Sequence, residues 1–409
     1  MNHLYVWMTL SDGAQLLVGE LRVSEPDLAR GGRLSGEFRY HADYLSDSNA
    51  FALDPIHLPL GAHSIHCGNS VTGIHGVFED SLPDAWGRAI LIRRFNLTRQ
   101  QQQAHRLLPL IGAEAMGALS YSNTNSHPPK AEEARVTDLS ELAQAVEQFE
   151  REPDASSELL RGLYLAGSSP GGARPKVLVR DNDHWIAKLA SVNDVIDIVG
   201  IEAACLSLAT DAGISMPDYR LEGFGSRRGL LVRRFDCTER GGRNHMLSMQ
   251  SLLNAQGYHY LGYPDMADLV RRVTDRPGDD LAMLYRQAVF NALLGNTDDH
   301  LKNFAMMHAD GSWRLTPAYD LLPDVKASRE HVLHYGSAGT LPTLQSLPDI
   351  GRLFGLAPKR STQIVEQVAS ALNGFRDACE QFDVPSADID LMVQRIPYFR
   401  KQASSKYGL

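Results

Sequence analysis

Cysteine is scarce in this chain of 409 residues: there are four, Cys67, Cys205, Cys237 and Cys379, and they stand far apart. No C-x-x-C pair is written, which excludes a zinc ribbon and a thioredoxin-type redox motif. Four scattered thiols fit a reducing compartment. No apolar run approaches the roughly 18–20 residues that cross a bilayer. The first seven residues carry neither the basic leader nor the apolar core of a signal peptide, so a cytoplasmic location without membrane contact is expected. An excess of positive charge is also missing, since 40 Lys and Arg face 49 Asp and Glu for a formal net charge of −9. That disfavours a protein gripping nucleic acid by its own surface. No internal repeat occurs. What remains is an ordinary globular composition, 43% hydrophobic and 22% charged, long enough for two or three domains and a large core without disulfides or metal.

Leu4–Leu10, Gln15–Val23 and Leu34–Tyr40 read as strands broken by Asp12-Gly13 and Gly31-Gly32, and Leu82–Phe95 as a helix with Pro83 near its first turn. Gln100–Leu108 predicts a second short helix, and the polar, Pro-containing residues 121–130 a linker. Asp138–Arg151 has helical apolar spacing. Two hairpins follow, Val177–Arg180 with Trp185–Leu189 and Tyr219–Phe224 with Leu230–Phe235, separated by a helix over Val195–Ala212. Beyond residue 248 helices dominate: Leu281–Leu294, Gln363–Leu372 and Ile389–Gln402, the last expected to break at Pro397. A strand pair, Phe304–His308 and Trp313–Leu315, interrupts them around Asp310-Gly311. The fold class is therefore α+β. After residue 150 a small β-rich lobe precedes a larger helical one, which is the plan of a two-lobed kinase.

The strongest chemical signal is Asn296-Thr297-Asp298-Asp299-His300-Leu301-Lys302-Asn303. Asp298 and Asn303 have the D-x-x-x-x-N spacing with which kinase catalytic loops place a base and a metal-ligating Asn; Asp299 is one residue short. A plain polar helix end, with Asp and Asn as caps, is the bland alternative. Downstream, Leu315-Thr316-Pro317-Ala318-Tyr319-Asp320 ends the strand pair. Asp320 and Asn303 together offer the hard oxygens that suit Mg²⁺. Gly167-Ser168-Ser169-Pro170-Gly171-Gly172-Ala173-Arg174-Pro175-Lys176 is rich in glycine and hydroxyls, as phosphate-cradling loops are, but is neither a Walker A nor a G-x-G-x-x-G sequence. Lys188, on the strand after it, is placed like a lysine that pairs with ATP phosphates, and Glu202 on the next helix is its candidate ion-pair partner. His63, His66 and Cys67 cluster without a second ligand group, so a loop is the preferred reading there.

Together these segments resemble the HipA family, the serine/threonine-kinase toxins of HipBA toxin–antitoxin modules. The resemblance covers nearly the whole chain. It includes Phe38-Arg39-Tyr40, Leu58-Pro59-Leu60 and the segment from Gly76 to Gly87 in the N-terminal part. It continues through Ser169–Lys176, the hinge Val232-Arg233-Arg234-Phe235-Asp236, Thr297–Asn303 and Leu315–Asp320. It implies an N-terminal subdomain (1–120), a connecting segment (121–150), a β-rich kinase lobe (151–238) and a helical lobe (239–409). It further implies ATP and Mg²⁺ as cofactors, with Asp298 as catalytic base, Asn303 and Asp320 on the metal, and Lys188 on the ATP phosphates. Ser169, Gly171, Gly172, Ala173 and Lys176 would line the phosphate loop, the backbone near Arg233 and Phe235 would receive adenine, and His300 and Tyr319 would complete the site. Ser169 would be the inhibitory autophosphorylation serine, with Ser168 adjacent. The implied partners are a HipB-like helix-turn-helix antitoxin, which supplies any DNA contact, and a protein substrate such as an aminoacyl-tRNA synthetase. The sequence departs from the family's best-studied hinge in placing Arg233, not an acid, before Arg-Phe-Asp. A small-molecule phosphotransferase of the aminoglycoside-kinase type and an inactive kinase-fold binding module are the alternatives.

Overall fold

The computed structural model describes residues 2–113, 115–130, 139–151, 156–166, 174–224, 227–257, 259–325 and 330–400. Strands β1 (Asn2–Thr9), β2 (Gln15–Val23), β3 (Gly36–Tyr40), β4 (Ile65–His66) and β5 (Leu119–Ser122) form one antiparallel sheet in the order β4-β3-β2-β1-β5. Leu4 and Val6 on β1, Leu21 and Val23 on β2, and Phe38 on β3 are buried, the period-2 alternation that makes these segments strands. The expected linker begins later than residue 121. Tyr121 and Ser122 pair with Val6 and Tyr5, and a buried edge beside β1 outweighs the polar composition of the residues after them. Helix α1 (Ala85–Arg94) starts three residues after the expected Leu82, and Gln100–Leu108 resolves into short turns rather than one helix.

A second sheet, ordered β6-β7-β9-β8, is built from β6 (Lys176–Asp181), β7 (Asp183–Leu189), β8 (Tyr219–Phe224) and β9 (Arg227–Arg233). Against it lie α2 (Leu139–Arg151), α3 (Ser157–Leu165) and α4 (Ile198–Asp211). The start of α4, three residues later than expected, is set by Asp197, whose carboxylate accepts the Gly200 N–H at 3.1 Å. Helix α3 was not apparent from the sequence. The helical part contains α5 (Tyr263–Val273), α6 (Pro277–Leu294), α7 (Pro358–Leu372), α8 (Phe375–Gln381) and α9 (Ser386–Arg395). Helix α5 is likewise absent from the sequence pattern; Pro264 sits in its first turn, where a missing N–H costs nothing. Helix α9 stops two residues before Pro397, as the proline predicts. The pair β11 (Ala305–Ala309) and β12 (Ser312–Leu315) gains a third strand, β10 (His245–Ser248), to give a small sheet in the order β10-β11-β12. Asp310 and Gly311 both take positive φ, 51° and 77°, in the β11–β12 turn, the combination a two-residue primed turn requires.

The cores are not segregated by sequence. The N-terminal sheet (Val6, Leu21, Phe38, Phe78) shares one continuous apolar cluster with α5, α6 and α7 of the helical lobe (Met266, Phe290, Ile364). Helix α1, by contrast, puts Trp86 and Ile90 into the core of the β-rich lobe with Val146, Phe149, Leu163 and Val177. The N-terminal part therefore packs on both lobes at once. Among the described residues no helix is long and apolar enough to cross a membrane.

Candidate active site

Helix α6 ends at Gly295, whose φ of 77° closes it in a left-handed cap. The chain then runs out through residues 296–300 to the 3₁₀ turn Leu301–Asn303. The Asn303 amide donates to the Asp298 backbone carbonyl at 2.8 Å, so the D-x-x-x-x-N segment is a closed loop rather than a frayed helix end. Asp298 is exposed on that loop. Even so, the protein crowded around it, and the negative charges of Asp320, Asp299 and Asp324, raise its carboxyl above the ordinary range against the opposing pull of His300.

Its neighbour has a different role. Asp299 is wholly buried and accepts from the Tyr263 hydroxyl (2.9 Å), the His331 ring (3.0 Å), the Val332 N–H (3.1 Å) and the Tyr335 hydroxyl (3.3 Å). Those bonds anchor the loop to α5 and to the segment after Asp324. We expect Asp299→Asn to lower the unfolding free energy by about 1–3 kcal/mol, because a buried acceptor network loses its charge and one oxygen. Asp298→Asn should change it by less than about 0.5 kcal/mol. Urea denaturation of the two variants side by side tests the contrast.

Opposite this loop lies a four-membered charge cluster. Alternation along β7 buries Trp185, Ala187 and Leu189 on one face and turns Lys188 to the other. There its ammonium bonds Glu202 on α4 and lies 2.8 Å from Asp320 Oδ1. Lys176 is its direct cross-strand partner and stands 3.4 Å from the same Asp320 oxygen. Like charges facing each other across strands repel; Glu202 and Asp320 offset that repulsion. Burial alone would weaken the Lys188 charge, but Asp320 and Glu202 outweigh it and raise its pKa. Burial likewise opposes ionisation of Asp320, yet Lys176 and Lys188 hold its carboxyl far below the usual range. Asp320 is a non-glycine residue at φ 59°, a conformation Asp tolerates at some cost. The Asn296 amide secures it by donating to the Asp320 carbonyl at 3.1 Å.

Tyr319 donates its phenol to the Lys302 carbonyl at 2.9 Å, and its ring lies 6.0 Å from that of Phe235. His300 lies near enough to Asp298 and Asp320 to lower both carboxyls. The structure thus brings together Lys176, Lys188, Phe235, Asp298, His300, Asn303, Tyr319 and Asp320. Arg233 does not join them. Its guanidinium is committed to Asp183 (2.9 Å) and Asp218 (3.2 Å), and its N–H to the Asp218 carbonyl (2.8 Å). Ser169, Gly171, Gly172 and Ala173 lie outside the described residues.

The donor set suits a small hard cation. Asn303 uses its amide nitrogen on Asp298, so its Oδ1 is the atom left for a metal, and Asp320 takes both lysines on Oδ1 alone of its two oxygens. Among the described residues no three His, Cys, Asp or Glu converge on a metal position. A cation here would rest on the two oxygens of Asn303 and Asp320, as Mg²⁺ does when phosphates and waters fill its remaining positions.

Sequence reading missed the contacts that brace the hinge. Arg234, 3% exposed, makes two bonds to the fully buried Asp236 (3.0 and 2.6 Å) and donates to the Ala115 carbonyl at 2.8 Å. Asp236 also accepts the Gly117 N–H at 2.7 Å. The hinge is therefore stapled to the N-terminal part. The sequence signal there is the hinge motif Val232-Arg233-Arg234-Phe235-Asp236, which points to these residues but not to their partners.

Comparison with known proteins identifies the family. Residues 16–122 match the HipA N-terminal domain and residues 168–374, about half of the chain, match the HipA-like C-terminal domain. The chain is 27% identical over 208 residues to "Putative kinase Y4mE" of Sinorhizobium fredii, covering 46% of this chain and 50% of that protein. It is 24% identical over 326 residues to "Putative kinase Y4dM" of the same organism, covering 74% and 76%. The match thus spans only half the length of the first of these relatives. Among solved structures, HipA from Shewanella oneidensis, in a complex with HipB and its operator DNA, superposes with a TM-score of 0.67 at 18% identity over 99% of this chain and 98% of that one. With both domain families matched in their order along the chain, and the α+β, kinase-like fold shared over nearly its whole length, this chain belongs to the HipA family.

Proposed function

We propose that the chain is an ATP- and Mg²⁺-dependent serine/threonine protein kinase, the toxin of a type II toxin–antitoxin module. The convergence of Lys188, Glu202 and Asp320 opposite the Asp298–Asn303 loop carries the reading. Lys188 and Lys176 present two positive charges where the β- and γ-phosphates of ATP would lie, and Glu202 fixes the direction of Lys188. Bound Mg²⁺ would neutralise phosphate charge between Asn303 and Asp320. Asp298 takes the proton of the acceptor hydroxyl as its oxygen bonds the γ-phosphorus and the bond to the β-phosphate breaks, releasing ADP. Phe235 and Tyr319 supply aromatic surface beside the hinge, and adenine contact falls to Phe235 and the hinge backbone other than the Arg233 N–H. Most of the catalytic gain on this account is positioning and electrostatics.

In the same reading the N-terminal subdomain, the connecting segment and the two lobes divide the chain near residues 122, 150 and 238. A HipB-like antitoxin binds the toxin and makes the DNA contacts, which accords with the net charge of −9. The substrate is a component of translation, such as an aminoacyl-tRNA synthetase. Phosphorylation of Ser169 would place about −1.5 to −2 charges beside the phosphate site and switch the enzyme off by repulsion.

Intact-mass measurement with phosphosite mapping, after incubation with ATP and Mg²⁺, tests the reading. A phosphatase-treated wild type should gain one phosphate at Ser169, and Asp298→Asn should gain none. A wild type that binds ATP but gains no phosphate would remove autophosphorylation and favour a small-molecule phosphotransferase or a binding module. A phosphate mapped to Ser168 would move the regulatory site by one residue.

A further inference from the structure

The segment Glu79-Asp80-Ser81-Leu82-Pro83-Asp84 lies far from the catalytic loop in sequence, yet Asp80 and Asp84 bond residues beside and within that loop. Asp80 accepts the Ser248 N–H (2.7 Å), the Ser248 hydroxyl (2.7 Å) and the Ser251 hydroxyl (2.8 Å), at the end of β10. Ser248 pairs with Ala305, and Met249 N–H donates to the Phe304 carbonyl at 2.8 Å, immediately after the catalytic loop. Asp84 goes further. It occupies the N-cap of α1, where an Asp ordinarily accepts an N–H of its own helix, but it makes no such bond. Its Oδ1 lies 2.7 Å from the ammonium of Lys302 instead. Lys302 precedes Asn303, and its carbonyl holds the phenol of Tyr319, next to Asp320. One ion pair therefore ties α1 to the loop that carries Asp298 and Asn303 and, through Tyr319, to Asp320. Helix α1 itself is packed into the β-rich lobe by Trp86 and Ile90.

We infer that Asp84 is a positioning residue for phosphoryl transfer: through Lys302 it sets the catalytic loop of the helical lobe relative to the β-rich lobe, making the N-terminal subdomain a working part of the active site. The inference rests on the kinase reading above for its kinetic consequence, though not for its structural one. An Asp that capped α1 would stabilise its own helix; this one leaves that role to grip a lysine beside the metal-ligand Asn. The pair is half-buried, with side-chain exposures of 38% for Lys302 and 28% for Asp84, so it can be broken without leaving a charge sealed in the core.

The test uses the full chain with Asp84→Asn, Lys302→Gln, the double variant and Asp84→Glu. Amide hydrogen exchange over residues 298–303 should quicken by about tenfold in Asp84→Asn while exchange in β6–β9 stays unchanged. Each single variant should lose about tenfold in kcat with the KM for ATP held within about twofold, and the double variant should be no slower than either single one. Asp84→Glu, which keeps the charge, should recover most of the rate. Unchanged exchange over 298–303 in folded Asp84→Asn would overturn the inference, as would losses that add in the double variant. If wild type transfers no phosphate at all, the kinase reading fails by itself, and the exchange measurement still decides whether Asp84 holds the loop.

Discussion

Asp298→Asn should keep its fold and bind ATP but lose phosphotransfer by about 10²–10⁴-fold, the range expected when a positioned general base is removed. The asparagine is isosteric and Asp298 is exposed, so the variant tests chemistry rather than packing. The wild-type pH profile carries a second signature. A base must be ionised to accept a proton, so activity falls as pH drops through the pKa of Asp298. Crowding by the surrounding protein and the repulsion of Asp320, Asp299 and Asp324 raise that pKa above the ordinary 3.8, with His300 opposing. The acid limb of kcat/KM for the unliganded enzyme should accordingly lie above 3.8, and His300→Gln, which removes the opposing charge, should move it further up. Initial rates measured from neutral to acid pH provide both readings. An Asp298→Asn enzyme within a few-fold of wild type would assign proton acceptance elsewhere.

The largest loss of stability is expected from Arg234→Met. The side chain it removes is the principal partner of Asp236, a carboxylate with no solvent exposure. Breaking a buried pair on one side costs about 3–5 kcal/mol, because the remaining charge is stranded. Arg243, 3.7 Å from Asp236, and the Gly117 N–H remain but replace only part of what is lost. The pH dependence distinguishes this from simple loss of packing. In the wild type burial opposes ionisation of Asp236, but the Arg234 charge and its hydrogen bonds outweigh it and hold the pKa below 3.8. The contribution of Asp236 to stability is then present above its unfolded pKa and lost as pH falls through the depressed folded one. Without Arg234, burial dominates and the folded pKa rises above the unfolded value, so the variant is penalised most at neutral pH and recovers relative to wild type on acidification. Urea unfolding at neutral and mildly acid pH checks this: a deficit that narrows in acid supports the account, whereas one independent of pH ascribes the loss to packing.

Local chemistry was legible wherever a short stretch of chain is sufficient to fix it. The Asp298–Asn303 loop closes because only four residues separate its ends and Gly295 stops the helix before it. The Asp310-Gly311 turn and the break before Pro397 likewise follow from backbone torsions of one or two residues. The alternation that buries Trp185, Ala187 and Leu189 on one face of β7 sends Lys188 to the other whatever else surrounds it. Contacts between distant segments were not legible in that way. Asp298 and Asp299 are identical in type and adjacent; only the packing of Tyr263, His331 and Tyr335 makes one a buried anchor and leaves the other exposed. Arg233 and Arg234 are equally alike, yet Arg233 at the end of β9 pairs with exposed acids and Arg234 just beyond it with a buried carboxylate. Lys188 and Asp320 are 132 residues apart, and Asp84 and Lys302 are 218 apart. Side-chain type and spacing determine which chemistry a segment can offer; which charges meet depends on how sheets and helices pack, because a Coulomb partner is chosen by distance in space and burial, neither of which is a property of neighbouring residues.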